Sequence, residues 1–278
     1  MTPPLAPPSV DPPARTGVLD RNVDDRAQRE RAHFNARTTA HRGPLVMPVS
    51  NITRYDSPPA DTPYSLEYAF HLLENVAGRR ILNVGCGEGL DAVILASLGA
   101  EVVALDISDA AVGVTNERAA ANGVAERVRA LVADATTLPV ASGSIDAILA
   151  AAVMHHVDIP KAAAELRRVL RPGGVAVFVE PLAGPYILQL LKRMVPLPKS
   201  PDISEDERPL TPADVSLISR TIGVAVASRP FGLTSRVVQR LHLPRPQWAF
   251  RIDRWVLSRS RMLAALASPL VWSVRKSA

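Results

Sequence analysis

Residues 81–89, ILNVGCGEG, followed by Asp106 at the end of VVALDIS (102–108), decide how this 278-residue chain reads. Ile81 to Val84 form a short apolar run of strand type, which breaks into Gly85-Cys86-Gly87-Glu88-Gly89 before a helical pattern over 90–98. A backbone without Cβ reaches positive φ and lets a ligand approach the main chain. The carboxyl end of a strand is where open α/β sheets bind ligands. Asp106 stands 21 residues past Gly85, at the end of a second apolar strand over 101–105. A carboxylate there can accept from both ribose hydroxyls of an adenosyl ligand.

Outward from this stretch the pattern alternates: strand 80–84, helix 89–98, strand 101–105, helix 109–121, strand 128–132, strand 145–150, helix 159–170 and strand 174–180. Such alternation specifies parallel strands with right-handed helical crossovers. Asn122-Gly123 ends one helix, and Arg171-Pro172-Gly173-Gly174 ends another and turns into the fifth strand. The rest offers helix 212–219, strand 222–229, helix 246–266 and a last strand over 270–274. On the N-terminal side, Thr62 fits an N-cap and Pro63 the first position of a helix carrying Leu66, Ala69, Phe70, Leu73 and Val76 on one face. Residues 1–19 are proline-rich and expected to be a disordered tail. Residues 20–63 read as a helical lid segment ending in an irregular connection, and 64–278 as the main domain with a substrate-covering insertion over 181–212.

Composition narrows the function classes. No uninterrupted apolar stretch approaches the ~20 residues of a membrane-spanning helix, and the proline-rich start lacks the form of a secretory signal. Cys86 is the only cysteine, so no intrachain disulfide can form and a cytoplasmic setting is expected. Net charge is +5, concentrated at the C-terminal end: from Arg220 onward there are eleven Lys or Arg against one acid, Asp253. A solvated basic surface is the commoner explanation of such a region. Peripheral attachment to anionic lipid is the minor one, through the helix carrying Trp248, Phe250, Ile252, Trp255 and four arginines. Aromatic content of 4%, with no aromatic and basic residues interleaved around a glycine-rich loop, argues against a base-stacking RNA or single-stranded DNA surface, and no nucleic-acid partner is expected.

Five segments in order resemble class I S-adenosylmethionine-dependent methyltransferases acting on small molecules, over roughly residues 72–181: ILNVGCGEG (81–89), VVALDIS (102–108), VADATTLPVASGSIDAILA (132–150), AAVMHHV (151–157) and LRRVLRPGGVAVFVEP (166–181). The resemblance implies a Rossmann-like α/β fold: a seven-stranded sheet of order 3-2-1-4-5-7-6, the last strand antiparallel, flanked by helices. It implies S-adenosyl-L-methionine as cofactor. Gly85, Gly87 and Gly89 would lie under its methionine and ribose parts, with Cys86 at a variable position between them. Asp106 would hold the ribose hydroxyls and Ile107 lie against adenine. Asp134 would accept from the adenine amino group beside Ala135, and Ala151 would meet the methionine portion through its carbonyl. The acceptor is expected to be a small organic molecule methylated on oxygen or nitrogen in secondary-metabolite biosynthesis. A lipid- or quinone-like acceptor and a non-catalytic cofactor-binding protein are the alternatives.

The main rival is a dinucleotide-dependent dehydrogenase. Its fingerprint leaves two residues between its second and last glycines, whereas Leu90 stands where that glycine would be and Glu88 sits beside the pyrophosphate position. His155 and His156 invite a metal or base assignment. Adjacent histidines point in different directions and no Cys or acid has a clear ligand spacing, so no metal is expected. His156 is the candidate general base, with His155 the more structural partner. Glu207 and Arg208 in the acidic segment 202–211, and Tyr64 beside the N-terminal connection, are candidate substrate contacts.

Overall fold

The strands at the centre of the sheet are apolar on both faces, and that decides what can cover them. β1 (Arg80–Val84) and β2 (Glu101–Asp106) each carry four consecutive buried residues, as does β4 (Ile145–Ala151). Strands buried on both sides need helices on both sides, the arrangement of a parallel sheet with helical crossovers. A computed structural model of the chain, which describes residues 21–40, 43–183, 208–233, 247–264 and 266–278, has this architecture. The tail expected over 1–19, most of the insertion expected over 181–212, and Glu207 lie outside the described residues.

With β3 (Val128–Val132), β5 (Leu170–Glu180), β6 (Val224–Pro230) and β7 (Leu270–Arg275), the strands form one seven-stranded sheet of order β3-β2-β1-β4-β5-β7-β6. β1 through β5 pair in parallel, and β7 lies antiparallel between β5 and β6. One face is covered by α6 (Ile159–Val169) and α7 (Pro212–Ile222), whose Leu166, Val169, Ile218 and Ile222 join Leu82, Ile148 and Trp272. The other is covered by α3 (Ser65–Leu73) and α4 (Leu90–Ser97), with Phe70, Leu73 and Leu95 against Ile81, Val102 and Leu149. Trp272 faces Phe178 across the antiparallel ladder with ring centroids 4.8 Å apart, a large apolar pair that ties the C-terminal strand into the sheet. Chain order reverses between β1 and β4, so the loops after these strands diverge and leave a crevice at their carboxyl ends.

Helix starts follow their sequence signals with one displacement. Ser108 caps α5 (Asp109–Ala121) by accepting from Ala111 N, and Asp158 caps α6 by accepting from Lys161 N. Thr211 and Asp214 form a reciprocal capping box on α7. The helix expected from Thr62-Pro63 begins instead at Ser65. Thr62 Oγ1 accepts from Tyr64 N and pairs with the Glu67 carboxylate, so it organises the turn before the helix rather than its first turn. Three other expectations shift. The irregular connection expected at the end of 20–63 contains a short helix, α2 (Val49–Thr53). The Arg171–Gly174 turn is drawn into β5 as an irregularity, with Gly173 and Gly174 bonded to Lys276. The C-terminal helix is split at Ser260 into α8 (Gln247–Arg259) and α9 (Arg261–Ala264). Residues 21–40 form α1 (Arg21–Ala40), which docks on the start of α5: Arg31 and Asn35 donate to Asp109 Oδ1, and Asn35 Oδ1 accepts from Ser108 Oγ at 2.6 Å.

Leu149 is fully buried in the middle of β4. Leu149→Ala is expected to lower unfolding stability by about 2–5 kcal/mol in urea titrations. Val224→Ala on the exposed edge strand should stay within about 0.5 kcal/mol of the parent.

Candidate active site

At the carboxyl ends of β1, β2 and β4 lies a cavity of about 980 Å³. Its floor is the glycine turn. Gly85 has φ 64°, and a Cβ there would stand 2.7 Å from Val153, so the loop after β4 packs directly on the bare backbone. Gly89 has φ 80°, and its Cβ would meet Thr115 on α5 at 2.7 Å. Two glycines are thus fixed by packing on opposite sides of the turn. Gly85, Cys86 and Gly87 line the cavity, whereas Gly89 faces α5 and is not among the lining residues. Burial pushes the Cys86 thiol up to about 12, which keeps it protonated and inert.

Asp106 ends β2 at the cavity wall. Its Oδ2 accepts from Gly87 N at 2.8 Å and its Oδ1 from Ser108 N at 2.9 Å. Burial raises its pKa, while these backbone donors and nearby His156 oppose the rise. Ile107, Asp134, Ala135 and Ala151 line the same cavity. Asp134 Oδ1 also accepts from Thr136 N at 2.7 Å, so the residue shapes its own turn as well as facing the cavity. Glu88 is turned toward the buried Arg118, with Oε2 3.2 Å from Nη2, and Arg118 also donates to the Glu88 and Pro44 carbonyls. Asp91, in the first turn of α4, lines the cavity, and burial pushes its carboxyl up to about 6. Asp91 sets an acid in the first turn of this helix, which opposes a pyrophosphate there, whereas Glu88 is taken up by Arg118.

The segment after β4 is held from below. Glu180, fully buried at the end of β5, accepts from Val153 N at 2.9 Å and Met154 N at 2.8 Å, and its other oxygen lies 2.6 Å from His155 Nδ1. His155 is thereby a buried, anchored side chain. Ala152, at φ 55°, occupies the left-handed region that non-glycine residues rarely adopt, at a cost of about 1–3 kcal/mol. It too lines the cavity. His156 lies under α1: Nδ1 is 3.2 Å from Glu30 Oε2, and the Phe34 ring meets the imidazole edge-on at 5.2 Å.

Arg26, Glu30, Phe34 and Arg37 of α1 form one wall of the cavity, and Val157, Ile159 and Leu217 give the region beyond His156 an apolar lining. Arg208 lines it as well, its guanidinium held by both oxygens of Asp214 at 2.7 and 3.1 Å. Tyr64 does not line the cavity; its ring packs 4.9 Å from Phe250 under the Arg54 guanidinium. Sequence reasoning passed over Glu30, Asp91, Arg118 and Glu180. Asp91, two residues past the glycine run, offered the one local signal. Among the described residues no group of three or more His, Cys, Asp or Glu is placed to hold a metal ion.

The methyltransferase domain family matches residues 82–178. A demethylmenaquinone methyltransferase from Clavibacter sepedonicus is 42% identical over 106 residues, covering 38% of this chain and 42% of that protein. A ubiquinone biosynthesis O-methyltransferase from Cupriavidus pinatubonensis is 27% identical over 165 residues, 55% of this chain and 62% of that one. The chain thus spans less than two thirds of the length of these curated relatives. Geranyl diphosphate C-methyltransferase from Streptomyces coelicolor A3(2), crystallised with S-adenosyl-L-homocysteine, superposes with a TM-score of 0.59 over 94% of this chain and all of that one, at 13% identity. At that identity the likeness is one of fold.

Asp91 gives the site a measurable pH signature. A carboxyl whose folded pKa, about 6, exceeds its ordinary value near 4 disfavours the fold once ionised. Stability is therefore full below about pH 4 and declines as pH rises toward 6. Asp91→Asn should be the more stable protein at pH 7 by thermal unfolding, and the difference should vanish on lowering the pH to about 4.

Proposed function

We propose, from the premise that residues 82–178 are a methyltransferase domain of the class I, S-adenosylmethionine-dependent type, that this chain transfers a methyl group to an oxygen or nitrogen atom of a small organic acceptor. The observation that carries the reading is the position of Asp106: a carboxylate in the cavity wall, pinned by the Gly87 amide of the glycine turn. The cavity suits an adenosyl ligand and an acceptor together, since small-molecule sites run to about 1,000 Å³. Its acids also match the cofactor's chemistry, offering acceptors to hydroxyls, an amine and a sulfonium.

In this reading Gly85, Gly87 and the Ala151 carbonyl hold the methionine portion, and Asp106 accepts from the ribose hydroxyls. Asp134 accepts from the adenine amino group, with Ile107 and Ala135 against the ring. When bound, S-adenosylmethionine supplies a methyl group made electrophilic by its sulfonium. The chain's work is then to align the acceptor behind that methyl and exclude water. α1 serves as a lid for this purpose, its Phe34 closing over His156. His156 removes the acceptor proton as the new bond forms. Glu180 anchors His155 and the turn, and so sets where His156 sits.

The lining by Phe34, Val157, Ile159 and Leu217 favours an acceptor with an apolar body, of lipid or quinone type. Arg208 offers its polar end a donor. The quinone-pathway names of two relatives agree with this class.

Two variants test the reading. Losing the bonds from both ribose hydroxyls should weaken S-adenosylhomocysteine binding to Asp106→Ala by roughly 10- to 100-fold in calorimetry. Unchanged affinity refutes the assignment. His156→Ala should lower kcat by about 100-fold or more with cofactor affinity retained. Undiminished turnover at saturating acceptor removes it as the base.

A further inference from the structure

In a helix lying on a water-soluble protein, the buried face is apolar and the outward face polar. α8 departs from this pattern. Ala249 and Asp253 are buried against the protein, and Asp253 accepts from Leu233 N at 3.1 Å. The outward face carries Trp248, Ile252 and Trp255, exposed by 57%, 40% and 60%, at i, i+4 and i+7 and hence in one stripe. Met262 on α9, one heptad past Trp255, is 74% exposed. These are four of the ten large apolar side chains exposed among the described residues, gathered in a single 15-residue stretch. Arg251 and Arg259 flank the stripe and are exposed, and the Arg259 guanidinium lies 4.7 Å over the Trp255 ring. Arg254 instead ties the helix down, pairing with Asp61 at 2.6 Å.

We propose that α8 is a membrane-docking helix that lies in the interface of an anionic lipid surface, with Trp248, Ile252 and Trp255 inserted at the headgroup level and Arg251 and Arg259 on the phosphates. Tryptophan has the amphipathic ring that favours this depth, and arginine keeps its apolar stem along the stripe while its head reaches the charged layer. The charge complement selects the occupant. The C-terminal region has eleven basic residues against one acid, which attracts anionic headgroups. It also opposes self-association through this face, since a two-fold contact would bring the arginines of one copy against those of the other. A stripe three residues wide is narrow for the ~800 Å² per partner of a stable protein interface, yet suits shallow insertion. No helix among the described residues is long and apolar enough to cross a membrane, so the contact is peripheral.

The test uses the full chain and vesicles of phosphatidylcholine alone or mixed equally with phosphatidylglycerol. Flotation should recover the protein with the mixed vesicles and not with the neutral ones, and added salt should weaken the association. Tryptophan emission should shift to the blue on binding; Trp272 is buried and contributes a constant background. Trp248→Ala/Trp255→Ala and Arg251→Glu/Arg259→Glu should each weaken binding by at least about tenfold. Both pairs are exposed, so thermal unfolding and S-adenosylhomocysteine binding should match the parent. Equal recovery with neutral vesicles, undiminished binding by either double variant, or loss of a self-associated species in the tryptophan variant overturns the proposal. The readout requires no acceptor, so failure here leaves the methyl-transfer reading standing, and failure of that reading leaves this one testable.

Discussion

The hydrogen bond from the Gly87 amide to Asp106 Oδ2, 2.8 Å long, is the contact on which the rest of the site depends. It joins the loop after β1 to the last residue of β2, adjacent parallel strands whose register is fixed by five consecutive pairs. The amide can point at the carboxylate only if the chain turns sharply upward after Val84, and the positive φ of Gly85 and Gly87 allows this. The bond leaves a floor of bare backbone beside a carboxylate, so ligand recognition is built from two adjacent strands paired in fixed register.

The second layer of the site is made of buried polar groups that hold loops rather than ligands. Glu180 orders the turn after β4 with two amide bonds and the His155 imidazole. Arg118 ties the glycine loop to Pro44 through the Glu88 carbonyl and carboxylate. α1 then brings Glu30 and Phe34 onto His156 from far away in the chain. Glu180, His155, Arg118 and Glu30 are nearly inaccessible, so removing the partner of any of them would leave a buried group uncompensated, the costly case for charged and polar groups. Asp91 shows the opposite strain: a carboxylate kept in the cavity wall although burial opposes its charge.

How much of this could be read beforehand follows from where each signal resides. The continuous apolar runs of β1, β2 and β4 and the glycine breaks between them are local, so the alternation of elements was legible. The order of the sheet came with the family resemblance, as did Asp134 and Ala151, whose own surroundings are ordinary. Glu180, Arg118 and Glu30 were not legible because their roles are tertiary: an acid ending a strand, an arginine within a helix and an acid in a charged helix have no distinguishing pattern. The start of α3 was displaced because Thr62 found a carboxylate partner, Glu67, that drew it into the preceding turn. Tyr64 was drawn away from the cavity by Phe250, a contact that sequence separation hides.

The identity of the cofactor is the central claim, since the glycine turn and Asp106 are shared in outline with dinucleotide enzymes. Titration of the wild-type chain with S-adenosylhomocysteine and, separately, with NAD in a calorimeter tests it most directly. One molecule of S-adenosylhomocysteine bound per chain and no heat from NAD is the expected result. Saturable NAD binding, or no binding of S-adenosylhomocysteine, would contradict the account.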